Sequence, residues 1–326
     1  MSSIFTISIL QSAIELGFIY SLVVLALFIS FSILNIADLS TDGCFTLGCA
    51  VAASMTLAGH PILALFAALF AGVLSGFVTS FLQTRLGVES ILAGIIVNTG
   101  LYTINIAVMG FSSNLNLFKC DSIFTMARDF IHKNMGEGAF EVLVTGGWYR
   151  LILVALLVII IGILLSLFLG TRLGLSIRAT GDNAAMVKAS SINPKHTITV
   201  GLCVSGAMTA LSGGILAQYQ KSCDINLGTG MVTIALASLI IGETLVGKGG
   251  MCKKITGVIF GSCLYRFIVA LALRLNVPAE ALKLVSAVIV ATAISFPYLK
   301  EKYTFYKLRK NSMIPFRKGV DVRADH

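Results

Sequence analysis

Long apolar runs alternate with short polar segments along almost the whole chain. Runs of about 20 apolar residues recur, and a helix of about that length crosses the hydrocarbon core of a bilayer. The pattern predicts an all-α, polytopic membrane helix bundle of about nine spans, within a range of about eight to ten. The predicted spans are Ile9–Leu34, Phe45–Ala58, Pro61–Leu82, Ile91–Phe111, Trp148–Gly170, Ile198–Gln220, Met231–Val246, Ile255–Leu275 and Leu282–Leu299.

The second and seventh runs are too short for an ordinary crossing, because a helix rises only about 1.5 Å per residue. They lie in two segments that begin with polar and small residues and then become apolar, Asn35–Ala52 and Asp224–Gly242. Polar, non-helical backbone at membrane depth is tolerated only against protein or a water-filled cavity. These broken helices therefore predict re-entrant segments along a translocation pathway. For the first segment, the alternative is an ordinary cytoplasmic turn at Asp38–Gly43.

Polar residues in and near the broken segments are the candidates for this pathway. A charge at mid-membrane costs at least about 2.5 kcal/mol, so it should face protein or water. Arg266, in the middle of the eighth predicted span, would either hold an anionic ligand group such as a carboxylate or form a structural ion pair with Glu243, Asp38, Asp42 or Glu89. Glu15 is close enough to the outer end of the first span to be solvated. The predicted pathway residues are Asp38, Ser40, Asp42, Asn98, Asn226, Thr229, Glu243 and Arg266.

Composition agrees with a membrane protein and orients it. Of the 326 residues, 56% are hydrophobic and 12% are charged, whereas about a quarter of a soluble domain is charged. The net charge of +9 comes from basic loops and a basic tail, which indicates membrane topology rather than nucleic-acid binding. Nine spans place these basic groups on one side, which is then cytoplasmic. The N-terminus lies outside, in a retained first span, and the C-terminus inside. Residues 1–299 form the transmembrane domain, and residues 300–326 form a basic cytoplasmic tail.

A polar, basic segment at residues 171–197 separates two long apolar runs. Asp182 or Asn183 is placed to cap a short helix over Ala184–Ser190, and Pro194 limits it. This helix would present an exposed apolar knob to a groove in another protein, formed by Met186, Val187 and Ile192. A plain basic loop is the alternative. The residues predicted to couple to the partner are Arg178, Gly181, Asp182, Asn183, Ala184, Val187, Lys188 and Ile192.

No residue pattern predicts an enzyme. The seven cysteines include no C-x-x-C pair and the four histidines have no paired-ligand spacing, so we expect no metal site and no other cofactor. The stretch GETLVGKGG at 242–250 nearly matches a phosphate-binding loop, but Gly249 stands where a hydroxyl would bind Mg²⁺. Cys120 and Cys223 are both external in this topology and are either disulfide-bonded or free.

Small residues form stripes in several predicted spans, including Gly72 with Gly76, Gly257 with Gly261, and a run between Gly201 and Gly214. Such stripes predict close helix–helix contact. Between the fourth and fifth spans, residues 121–131 predict an external helix with one apolar face.

Several segments resemble a known family. LGLSIRATGDNAAMVKASSIN, at 173–193, resembles the coupling segment of ABC importer permeases of the branched-chain amino acid and ribose type. Asp38-Leu39-Ser40, followed by Gly43, resembles the motif after the first span in that superfamily. The stretches at 92–110, 216–243 and 264–273 are most similar to tryptophan/tyrosine transport permeases.

The resemblance implies a multi-pass permease subunit of an ATP-driven importer in the bacterial plasma membrane. It implies a homodimer of permease subunits, two separate ABC ATPase subunits and an extracytoplasmic substrate-binding lipoprotein. The solute would be small and organic, namely an amino acid, with the aromatic ones included. The rival hypothesis is an ion-coupled secondary transporter that uses Asp38, Asp42 or Arg266 and needs no ATPase. A membrane-embedded enzyme or scaffold ranks last, because no nucleophile–base arrangement supports it.

Overall fold

The computed structural model describes residues 7–134, 147–247 and 249–274, together with scattered positions between 284 and 306. Up to residue 274, these residues form eleven α-helices, one π-helix and two short strands. The helices are α1 (Ile7–Leu27), α2 (Thr41–Leu57), α3 (Pro61–Thr84), α4 (Ser90–Val108), α5 (Ile123–Asn134), α6 (Trp148–Gly170), α7 (Arg172–Asp182), α8 (Ala184–Ala189), α9 (Pro194–Gln220), α10 (Met231–Val246) and α11 (Met251–Arg274), and the strands are β1 (Asn114–Asn116) and β2 (Ser222–Asp224).

Among the described residues, six helices are long and apolar enough to cross a membrane: α1 with its π-helical extension, α3, α4, α6, α9 and α11. The broken segments end in helices α2, of 17 residues, and α10, of 16 residues. At about 1.5 Å per residue, each is shorter than the ~30 Å hydrocarbon core. The all-α polytopic architecture is therefore established. The count of about nine spans stays a prediction, because the ninth, Leu282–Leu299, lies largely outside the described residues.

Helix α1 continues as a π-helix over Phe28–Ile33, which the sequence did not indicate. Wider backbone bonds mark it, from Leu34 N–H to the Ile29 carbonyl at 2.9 Å and from Ile36 N–H to the Ser30 carbonyl at 2.8 Å. Asn35 then adopts a left-handed conformation, with φ of 57°. The π-helix ends the first span and directs residues 34–40 back into the bundle toward α2.

Helix α9 lies at the centre of the bundle, with 78% of its membrane window buried. Its small residues contact small residues of α2 and α3 without intervening side chains. A Cβ atom on Gly72 would overlap the Gly206 carbonyl, and a Cβ atom on Gly48 would overlap the Ala210 carbonyl. The predicted close packing is thus present. It holds α2 and α3 against α9 over much of their length.

One end of the bundle carries the antiparallel ribbon of β1 and β2, in which Leu115 pairs with Cys223. We call this the outer end, and the end that carries α7 and α8 the inner end, after the predicted orientation. Gln218 joins elements at the outer end: its amide donates to the Pro61 carbonyl at 2.8 Å and accepts from the Ile123 N–H at 3.0 Å. The predicted external helix is present as α5.

One expectation at the outer end is wrong. Glu15 is not solvated, because it is only 3% exposed and accepts hydrogen bonds from Tyr219 at 2.7 Å and Gln11 at 3.0 Å. Of the two alternatives left open for Cys120 and Cys223, the structure shows free thiols, as it does for all seven cysteines. Cys223 is fully buried in β2, and its thiol interacts with that of Cys49 on α2.

Candidate functional site

The two broken segments meet inside the bundle. Asp42, in the first turn of α2, accepts hydrogen bonds from the N–H groups of Gly230 and Val232, both at 2.9 Å. These N–H groups belong to the first turn of α10 and have no partner within that helix. A carboxylate also suits the partial positive charge at a helix N-terminus. Asp42 therefore joins the starts of both short helices.

The loop before α10 packs directly on the backbone of α2. Gly228 donates its N–H to the Thr46 hydroxyl at 3.1 Å, and a Cβ atom on Gly228 would overlap the Asp42 carbonyl. Only glycine fits this approach. Gly230 adopts a positive φ of 83°, which also favours glycine and sets the direction in which α10 begins.

This junction lies at about half the depth of the bundle. The Cys44 thiol, half a turn from Asp42, contacts the Gly206 carbonyl at 3.4 Å. Gly206 is near the middle of α9, and it packs against Gly72 near the middle of α3. A carboxylate is thus held far from both ends of the spans, with backbone N–H groups rather than a cation as its partners.

Asp38 stabilises the turn that leads into α2. It accepts hydrogen bonds from the Ser40 N–H at 2.9 Å and from the Ser40 hydroxyl at 2.6 Å. Asp38 is 5% exposed and Ser40 is 2% exposed, and the Ser40 hydroxyl also accepts from Thr79 on α3. A Cβ atom on Gly94 of α4 would crowd the backbone N of Leu39. The turn is therefore buried between helices, which excludes the alternative of a solvated cytoplasmic turn.

The other polar candidates around α2 and α10 have distinct surroundings. Asn98 on α4 faces the start of α2, since its side-chain oxygen lies 2.6 Å from the position that a Cβ atom on Gly43 would take. Asn226 and Thr229 are exposed in the loop before α10. Within that loop, the Thr229 hydroxyl donates to the Asn226 carbonyl at 2.7 Å. Of these six candidates, Asp42 joins the two broken segments, whereas Asp38, Ser40 and Asn98 lie around the start of α2, and Asn226 and Thr229 lie in the loop before α10.

Glu243 and Arg266 lie apart from this contact. Glu243, near the end of α10, accepts a hydrogen bond from Ser32 of the π-helix. The Arg266 guanidinium stacks over the Tyr20 ring, 3.4 Å from its centroid, and its buried Nε has no hydrogen-bond partner. Tyr20 in turn stacks on Phe45 of α2, with centroids 6.0 Å apart and planes at 15°.

Of the two alternatives for Arg266, the structural ion pair is not present: within the described part of the chain, Arg266 forms no ion pair with the acidic residues Glu243, Asp38, Asp42 or Glu89. An aromatic face attracts a cation through its quadrupole, and this attraction is larger where water is excluded. Nothing in the apolar pattern distinguishes Tyr20 or Phe45, because aromatic residues are common inside apolar spans.

The short helix predicted at the inner end is present as α8, which ends one residue earlier than expected. Asn183 is its cap and accepts from the N–H groups of Ala185 and Met186, both at 3.1 Å. Asp182 instead is the last residue of α7, a helix that the sequence analysis did not predict. Thr171 caps α7 by accepting from the Gly174 N–H at 3.3 Å.

Exposure divides the predicted coupling residues into two groups. Met186 is 66% exposed, and Arg178, Asp182, Asn183, Ala184 and Lys188 are also exposed. Val187 is only 3% exposed, so its assignment to an exposed knob is wrong. Val187 lies on the face of α8 that packs against the bundle, and its side chain attaches α8 to the bundle. Ile192 is half-buried.

Helix α7 contacts the inner ends of two spans. A Cβ atom on Gly181 would overlap the Ile33 carbonyl at the end of the π-helix. The hydroxyls of Thr180 and Thr197 are 2.8 Å apart, which joins α7 to the first turn of α9. The inner surface formed by α7 and α8 is therefore in direct backbone contact with the first span.

The stretch at 242–250 does not have the context of a phosphate-binding loop. Gly242–Val246 forms the last turn of α10, whereas that loop follows a strand and opens a helix. Among the described residues, no group of three or more His, Cys, Asp or Glu side chains is placed to hold a metal ion.

Comparison with known proteins identifies the family. Residues 9–294 match the model of the permease component of branched-chain amino acid transport systems. A tyrosine transport system permease protein of Clostridioides difficile is 34% identical over 280 residues, which cover 86% of this chain and 88% of that protein. An uncharacterised protein of Rickettsia prowazekii is 27% identical over 88% of this chain and 97% of its own.

A more distant relative is the ribose import permease of Escherichia coli, which is 29% identical over 126 residues, or 38% of each chain. No solved structure matches. The family model and the C. difficile relative both cover most of the sequence. The chain therefore belongs to the family of branched-chain amino acid transport system permease components, and it is a multi-pass membrane subunit without enzymatic activity.

Proposed function

We propose that this permease is the membrane subunit of an ATP-driven importer for an amino acid, with tyrosine and other aromatic amino acids as the first candidates. It works as a homodimer with two ABC ATPase subunits and an extracytoplasmic substrate-binding lipoprotein in the bacterial plasma membrane. The N-terminus is outside and the basic tail at 300–326 is cytoplasmic. Family membership and the name of the C. difficile relative support the solute class.

The proposal that an ATPase displaces α7 and α8 depends mainly on the contact between Gly181 and Ile33. Met186 projects from α8 and is available to a partner, whereas the buried Val187 attaches α8 to the bundle. Because α7 meets the first span through backbone atoms, there is no flexible side chain to absorb a displacement. A push on α8 would therefore move the inner end of the first span.

The contact between α2 and α10 is the proposed centre of the pathway. Two helix starts face each other at half depth, where small solutes bind in many transporters built from broken helices. Asp42 holds them together in this structure. In the proposed cycle, the two short helices separate and rejoin as the pathway opens to one side and then to the other.

A single substitution at the tip of α8 tests the ATPase contact. In Met186→Asp, a charge would occupy the exposed apolar tip, and we expect loss of copurification with the ATPase subunits and loss of ATP-dependent uptake. Met126→Asp is the matched control, because Met126 is 43% exposed on α5 at the opposite end. It should retain the ATPase subunits.

Two results would contradict the proposal. One is a Met186→Asp permease that still copurifies with the ATPase subunits and transports normally. The other is solute uptake by the permease alone in proteoliposomes under an ion gradient, which would favour a secondary transporter. Ligand binding by the partner lipoprotein, measured against tyrosine, tryptophan, leucine and ribose, would test the solute class separately.

A further inference from the structure

An apolar groove of about 510 Å³ opens on the outside of the bundle between α3 and α6, with α9 as its floor. It extends from Phe168 and Thr199 near the inner end to Leu69 and Met208 near mid-depth. Helix α6 packs mainly against α1, α7 and α11, which leaves this gap on its other side. The groove therefore occupies the inner half of the bundle, at the depth of one leaflet.

The groove offers no polar group that would order water along its length. Apart from Thr199, whose hydroxyl donates to the Lys195 carbonyl at 2.8 Å, and the Cys203 thiol, its lining is aliphatic or aromatic. A void in a membrane protein loses contacts that a close-fitting chain restores. The acyl chains of all lipids are about equally apolar. The apolar lining alone would therefore not favour one kind of lipid over another.

Basic side chains at the inner mouth provide that selection. Lys195, Thr199 and Cys203 follow one another at intervals of four residues, so they lie along one face of α9. Lys195 therefore lies on the same face of α9 as the groove, just beyond its inner end. Arg172 begins α7, directly after the end of α6, and is also exposed. Neither cation forms an ion pair among the described residues.

We propose that the groove binds one acyl chain of an inner-leaflet phospholipid, with its phosphate at Lys195 and Arg172, and that anionic phospholipids are preferred. Each basic residue near an anionic lipid surface contributes about a fivefold preference. The lipid fills the space beside α6, the span that continues through Thr171 into α7. This inference rests on membrane insertion and holds whether or not an ATPase drives transport.

Photolabelling in nanodiscs tests the proposal with the full-length protein. The nanodiscs contain phosphatidylcholine and a small fraction of either phosphatidylglycerol or phosphatidylethanolamine, each with the same diazirine-bearing acyl chain. We expect labelled peptides from 161–168 and 199–208, with at least about fivefold more label from phosphatidylglycerol. Excess unlabelled phosphatidylglycerol should remove this label from the native protein, a result that requires no variant.

Variants separate the groove from the head-group site. Cys203→Trp fills the groove and should reduce its labelling, whereas Leu156→Trp, at an exposed site in the outer half of α6, should not. Lys195→Gln combined with Arg172→Gln should lower phosphatidylglycerol labelling to the phosphatidylethanolamine level. Lys253→Gln, an exposed cation on α11 at the same end, is the control.

Three outcomes would overturn the proposal: equal labelling by the two lipids, uniform labelling of all lipid-facing helices that competition does not change, or no label in the groove peptides from either lipid. The last outcome is the one expected if a second copy of the permease covers the groove.

Discussion

Replacement of Asp42 should separate the two short helices. The carboxylate accepts two backbone hydrogen bonds at 2.9 Å from the start of α10. A hydrogen bond to a charged group contributes about 1.5–3 kcal/mol, so Asp42→Ala should lower the free energy of unfolding by about 3–6 kcal/mol. Asp42→Asn keeps one acceptor oxygen and should cost about half as much.

Thermal unfolding in detergent, followed with a thiol-reactive dye, would measure this loss. Cys44 and Cys49 lie on the same helix as Asp42 and are 2% and 0% exposed, so they react only when α2 is released. A change of this size should lower the midpoint by on the order of 10 °C. Asp121→Ala is the matched control, because Asp121 is exposed in the outer loop.

The order of the variants decides whether the reasoning holds. We expect native protein and Asp121→Ala to unfold together, Asp42→Asn at a lower temperature, and Asp42→Ala at the lowest. If Asp42→Ala unfolds with the control, the two backbone hydrogen bonds do not join α2 to α10, and the proposed centre of the pathway loses its structural basis.

Other substitutions test the remaining contacts. Gly181→Ala should reduce the yield of folded permease in size-exclusion chromatography, because the added methyl group would overlap a carbonyl of the first span. Gly170→Ala is the control and should be neutral in this assay, because a Cβ atom there meets nothing within 4 Å. Tyr20→Phe should leave the thermal midpoint unchanged, whereas Tyr20→Leu should cost about 2 kcal/mol by removing the ring face under the guanidinium. Tyr219→Phe should cost about 1.5–3 kcal/mol, because it leaves the buried Glu15 with one hydrogen-bond donor fewer.

Apolar runs predicted the spans well because membrane insertion selects for them directly. Trp148–Gly170 and Met231–Val246 match α6 and α10 residue for residue. Glycine or threonine directly flanks both runs, at Gly147, Thr171, Gly230 and Gly247, so the apolar pattern stops clearly at each end. The cap at Asn183 was also predictable, since an asparagine before a short helix satisfies the N–H groups of that same helix.

Contacts between distant segments were not predictable from the pattern. The sequence indicated that Asp42 should face protein or water, and the one partner that it suggested was Arg266. The structure supplies backbone N–H groups almost 190 residues later, which no composition or spacing rule identifies. Val187 shows the same limit. The sequence of a helix as short as α8 does not indicate which face is buried, because that depends on how α8 packs on the bundle.

The π-helix at the end of α1 connects the two regions on which the proposed function depends. Its last residue, Ile33, touches Gly181 of α7, and residues 34–40 then lead directly to Asp42. One end of this connection is held by backbone contact between Ile33 and Gly181, and the other by the hydrogen bonds that the Asp42 carboxylate accepts from the start of α10. Asp38 and Ser40 stabilise the turn between them. In the proposed cycle, a displacement of α7 would reach α10 through the short segment from Ile33 to Asp42. At these wider π-helical turns, the first span could change between π-helical and α-helical winding while the rest of α1 stays packed.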